Sequence, residues 1–68
     1  MPERLANRLK ERRTELGLTQ AELAERVGVT RKTVNTVENS VFTPSATLAI
    51  KLARALGVAV EQLFWIET

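Results

Sequence analysis

The sequence predicts an all-α fold, a compact bundle of five short helices, on three observations. Apolar residues recur at helical spacing, as in Leu23, Ala24 and Val27 or Leu48, Leu52 and Leu56. Thr19, Thr30 and Ser45 stand where a side-chain oxygen can cap the helix that follows. Gly28 and Gly57 come directly after such segments, where a left-handed residue stops a helix at little cost.

The 68 residues leave room for one domain, spanning 1–68. A chain this short buries only about 60% of its extended surface, so modest stability or help from a partner is expected. Cysteine and histidine are both absent. That excludes disulfides, thiol chemistry, imidazole acid–base work and the usual zinc sites, and no metal or other cofactor is expected. The carboxylates are spread over surface helix positions with no evident cleft, so no catalytic residue is assigned and an enzyme is not expected. No continuous apolar stretch approaches the roughly 20 residues that span a bilayer, and the N-terminus has no signal-peptide core. A cytoplasmic chain without membrane contact is the expectation.

The first helix is expected to start near Pro2, with Glu3 in its first turn and Leu5, Leu9 and Leu16 on its apolar face. Arg12 and Arg13 occupy the middle of that stripe, and an arginine beside a buried face needs a carboxylate. Leu16-Gly17-Leu18 ends the helix. Thr19 and Glu22 can then close a capping box on a second helix, from about Gln20 to Arg26. Gly28 stops it, and Thr30 caps a third helix over Arg31 to Val37, whose inner residues are Val34 and Val37. Glu38 lies near that same inner side and is the best partner for Arg13. Pro44 blocks continuation of the loop that follows, Ser45 caps a fourth helix over Ala46 to Leu56, and Gly57 ends it. Phe42 is expected to fold back onto the core. A short fifth helix begins near Val60, and in Leu63-Phe64-Trp65-Ile66 the first two residues fit the core while Trp65 and Ile66 stay at least partly exposed.

The third helix carries the functional signal. Its outward residues Arg31, Lys32, Thr33, Asn35 and Thr36 offer charges, an amide and hydroxyls but no carboxylate. Residues 31–60 contain four bases against Glu38 alone, although the formal charge of the whole chain is only +2. A donor-rich, acid-free face suits a polyanion with readable edges, and two short helices joined by a glycine turn form a helix-turn-helix with the third helix as the reader.

Arg13, the run GLTQAELAERVGVT over 17–30, VEN over 37–39 and LARALGV over 52–58 closely resemble the small phage-repressor and Cro-like transcriptional regulators, also called xenobiotic-response-element regulators. The likeness spans roughly residues 4 to 64, nearly the whole chain. It implies a lambda-repressor-like bundle, double-stranded DNA as partner, and an architectural ion pair between Arg13 and Glu38. It also implies base reading by Arg31, Lys32 and Thr36, with Gln20 bonding a phosphate or bracing a reading side chain. Thr30, Thr33, Asn35, Asn39 and Thr43 are expected in supporting or backbone contacts. Relatives usually carry glycine where this chain has Ser40, and serine or threonine where it has Ala59.

Trp65 and Ile66, left outside near the terminus, are expected at a symmetric dimer interface to which residues 58–68 contribute. Two copies would place their reading helices in major grooves about 34 Å apart and read an approximate palindrome, as a repressor associated with the nucleoid. The alternative is an antitoxin that binds a partner toxin and represses its own operon.

Overall fold

The computed structural model describes residues 3–68. Strand β1 (Arg4–Asn7) leads into α1 (Leu9–Glu15), followed by α2 (Gln20–Val27), α3 (Arg31–Glu38), α4 (Ala46–Leu56), α5 (Val60–Leu63) and strand β2 (Phe64–Glu67). The five helices form the expected bundle, with α2 packed on both α3 and α4. Leu9, Leu23, Val34, Val37, Leu52, Leu56 and Leu63 are all less than 2% exposed and make its centre. Ala24 and Ala53 are buried in the same core.

Local chemistry sets the helix ends. The Thr19 hydroxyl accepts the Glu22 N–H at 3.0 Å while the Glu22 carboxylate accepts the Thr19 N–H at 2.8 Å, completing the capping box. Thr30 accepts the Thr33 N–H and Ser45 the Leu48 N–H. Gly28 and Gly57 are left-handed, at φ of 76° and 69°. At α5 the Gln62 side chain reaches back to the Ala59 N–H at 2.8 Å, supplying half of a capping box where Ala59 has no oxygen to give.

The N-terminal expectation is overturned. Glu3 is not helical, Arg4–Asn7 is a strand, and α1 starts only at Leu9; the start expected at Pro2 lies outside the described residues. Leu5 and Leu9 do stand four apart, but the backbone groups of 4–7 find a ladder partner in β2, which outweighs a helical preference shared by few residues. The pairing is antiparallel, Arg4 opposite Glu67, Leu5 opposite Ile66, Ala6 opposite Trp65 and Asn7 opposite Phe64. This two-stranded sheet is an addition to the five-helix bundle. Leu16, expected on the inner face, is 44% exposed because α1 has already ended.

Strand geometry also changes the C-terminal picture. Leu63 and Phe64 are buried, while Trp65 is 36% and Ile66 57% exposed, so both are partly outside as the sequence suggests. Successive residues of a strand face opposite ways, however, so Trp65 and Ile66 project from opposite sides of the sheet rather than forming one patch. Phe42, expected to fold onto the core, stays 49% exposed at the rim of a crevice that it shares with Leu5, Val37 and Phe64. Ser40 takes a left-handed turn two residues earlier, and the Phe42 N–H donates to the Thr36 carbonyl at 3.2 Å.

Candidate nucleic-acid interface

Helix α3 is amphipathic. Val34 and Val37, each 1% exposed, anchor it on the core, which turns Arg31, Lys32 and Asn35 to solvent and leaves Thr33 and Thr36 half-buried on its flanks. Its outward surface therefore carries two cations, an amide and hydroxyls with no acid among them.

What fixes this helix is a polar cluster beneath it. Arg13 Nε donates to Glu38 Oε2 at 2.6 Å and Nη2 to Oε1 at 3.3 Å, while Gln20 Nε2 donates to Oε1 at 3.0 Å. The remaining Arg13 nitrogen donates to the Leu18 carbonyl at 2.8 Å. The side chains of Arg13 and Glu38 are only 12% and 2% exposed. A forked guanidinium matched to a carboxylate fixes angle as well as distance. Three elements, α1, the start of α2 and the end of α3, are thereby pinned together. Among the described residues, no buried side-chain nitrogen or oxygen lacks a partner.

The individual residues fall as follows. Arg31 is exposed and borders a crevice with Thr19, Gln20 and Ala21, the residues at which α2 opens. Lys32 is exposed nearby. The Gln20 amide is committed to Glu38, which ties the start of α2 to the end of α3. The Thr36 hydroxyl donates to the Thr33 carbonyl at 2.9 Å, and the Thr30 and Thr33 hydroxyls lie 3.1 Å apart. Asn39 turns back onto its own helix, its amide donating to the Asn35 carbonyl at 3.0 Å. Thr43 is exposed in the loop, bordering a crevice with Arg4, Ser40 and Ile66.

Three residues that sequence reasoning did not assign complete the frame. Asn7 donates to the Val37 carbonyl at 3.0 Å and accepts the Leu9 N–H at 3.0 Å, so one side chain ties β1, the start of α1 and the end of α3. An asparagine two residues before a leucine-led helix is a capping signal, masked here by a stripe that reads as helix through it. Arg12 Nε donates to the Leu56 carbonyl at 3.0 Å, placing a cation at the C-terminal end of α4. The Arg8 guanidinium lies 5.3 Å from the centre of the Trp65 ring, a cation–π contact that no local pattern announces.

The helix-turn-helix family model matches residues 9–63, which contain all five helices and the whole α2–α3 unit. The chain belongs to this helix-turn-helix family. Its members of the phage-repressor and Cro-like type are DNA-binding regulators of transcription, and the relatives found are regulators rather than enzymes. An uncharacterized helix-turn-helix-type transcriptional regulator of Bacillus subtilis, YgzD, is 41% identical over 63 residues, covering 93% of this chain and 96% of the relative. The P22 c2 repressor, solved in complex with a synthetic operator, superimposes with a TM-score of 0.77 at 30% identity, over 79% of this chain and 82% of that one. A hypothetical transcription factor from Neisseria gives a TM-score of 0.74 at 35% identity over 79% of this chain. This chain spans only 62% of that factor's length. The helix-turn-helix unit in these proteins corresponds to α2 and α3 here, joined by the left-handed Gly28.

Among the described residues, no helix is long and apolar enough to cross a membrane, and no group of three or more acidic, histidine or cysteine side chains could hold a metal.

Proposed function

We propose that this chain is a dimeric repressor that reads a palindromic operator by laying α3 in the major groove of double-stranded DNA. The observation that carries the reading is the acid-free outer face of α3, held in one orientation by the Arg13–Glu38–Gln20 cluster. Arg31 and Lys32 donate to guanine edges and Thr36 meets a third base, while Thr30, Thr33, Asn35, Asn39, Thr43 and the first N–H groups of α2 serve the phosphates or support the readers. Residues 1–68 act as one domain, and 58–68 supply the dimer contact, chiefly through Trp65, with Ile66 on the other side of the sheet. The similarity to a repressor solved on its operator supports this reading. Such a protein works in the cytoplasm at the nucleoid.

Selection of bound sequences from a random duplex pool tests it, with R31A and T36A run beside the wild type. An enriched inverted repeat whose preferred bases relax in a variant is the expected result, and binding should weaken as salt rises because counterions are released. Tight, salt-sensitive binding without enrichment would replace the repressor with a non-specific DNA coat.

The exposed Trp65 face also favours a second reading, in which a protein partner such as a toxin occupies it and the complex represses its own operon. A stable stoichiometric complex recovered from the native host, lost in W65A, would support that reading over a homodimer.

A further inference from the structure

Threonines recur every three residues along α3 and its cap, at Thr30, Thr33 and Thr36, and the structure gives their hydroxyls different duties. Thr30 Oγ1 accepts the Thr33 N–H at 3.2 Å and lies 3.1 Å from Thr33 Oγ1. Both of those hydroxyls are engaged in holding the helix start. Thr36 Oγ1 lies 2.9 Å from the Thr33 carbonyl oxygen. A carbonyl can only accept, so the hydroxyl hydrogen of Thr36 is directed into its own helix. That bond occupies only the hydroxyl branch of Cβ, so the γ-methyl of the half-buried Thr36 is left as the branch with no hydrogen-bonding duty.

We infer that Thr36 reads the C5-methyl group of a thymine, by apolar contact rather than by donating a hydrogen bond to a base. This rests on α3 being the DNA-reading helix. The major groove offers one apolar base substituent, the thymine methyl, and a threonine methyl is a natural match for it. The donor work on the same face is already covered by Arg31 and Lys32, both exposed at the start of the helix. The half-site thus combines a guanine contact near the N-terminus of α3 with a thymine opposite Thr36, more than a turn further along.

Wild-type and T36A selections from the random pool locate the base pair whose preference depends on Thr36. The selected operator is then made with uracil in place of that thymine, which removes the methyl and nothing else. Wild type should lose about fourfold in affinity for each altered half-site, the equivalent of one methyl-sized contact at ~0.8 kcal/mol. T36V keeps the γ-methyl and should show the same uracil sensitivity, while T36S lacks it and should bind the two operators equally. Matched thermal melts of the three proteins exclude misfolding as the cause. A wild type indifferent to uracil, or a T36V protein that loses the site while uracil has no effect, would overturn the inference and make the hydroxyl the reader. If folded wild type enriches no site at all, the assignment of α3 as a sequence reader fails and this inference falls with it.

Discussion

Replacing Glu38 with alanine probes the cluster that orients α3. The side chain is 2% exposed and accepts three N–H groups, two from Arg13 and one from Gln20. Removing it strands a guanidinium that keeps one protein acceptor, the Leu18 carbonyl. Breaking a buried pair from one side costs about 3–5 kcal/mol. Because the Arg13 side chain is still 12% exposed, it can turn partly to water, so the lower end, about 3 kcal/mol, is expected. A domain of this length has a total stability of about 3–10 kcal/mol at 0.05–0.15 per residue, so E38A should lose about a third or more of it. Urea unfolding followed by circular dichroism measures this, at fixed protein concentration because a dimer would link stability to concentration. With a slope of about 1 kcal/mol per molar urea, the midpoint should fall by about 3 M. In the cycle of R13A, E38A and the double variant, a coupling of about 1–3 kcal/mol is expected. An E38A loss below about 0.5 kcal/mol, the range of solvated surface pairs, would refute the claim that this pair holds α3 in place.

Ser40 sits at φ 60° in a left-handed turn closed by the Ser40 N–H to the Val37 carbonyl and the Val41 N–H to the Thr36 carbonyl. Ser40→Gly relieves a side-chain clash worth about 1–2 kcal/mol, offset by the greater freedom of glycine when unfolded, so a net gain of about 0.5–1 kcal/mol is expected. A calorimetric Tm about 2–8 °C higher is the readout, and an unchanged or lower Tm counts against the turn as described. Asn7→Ala removes both the bond to the Val37 carbonyl and the cap on Leu9, and a chemical-denaturation loss of about 1–2 kcal/mol should follow, above the scatter of surface changes. Accepting the Thr19 N–H holds the Glu22 carboxyl below its ordinary value near 4.5. A depressed folded-state value means the capping contribution is present at neutral pH and is lost as pH falls through that value. Thermal melts across an acid series should show this part of the acid sensitivity disappear in Glu22→Gln, whose amide oxygen still accepts; an identical slope in both proteins would contradict it.

The helix-turn-helix was legible because its determinants are local. Thr19 and Glu22 close their box three residues apart, Gly28 stops α2 within one residue of its last apolar contact, and Val34 and Val37 mark the inner side of α3 one turn apart. Arg13 and Glu38 stand far apart in sequence, yet each was conspicuous as a charge on an apolar stripe, so their mutual need could be read without knowing the geometry. The sequence by itself therefore determined the helix caps, the acid-free outer face of α3 and the charge that had to be neutralised beneath it. Only the tertiary structure decided what the two chain ends do. Residues 4–7 are helical by spacing alone, and their strand exists because β2, some sixty positions away, offers the ladder they pair with. That pairing places Arg8 over Trp65, parts Trp65 from Ile66, and brings Asn7 to the end of α3. A helix satisfies its backbone within four residues and so writes its signals nearby, whereas a strand is satisfied by a distant segment and leaves no local mark of which one.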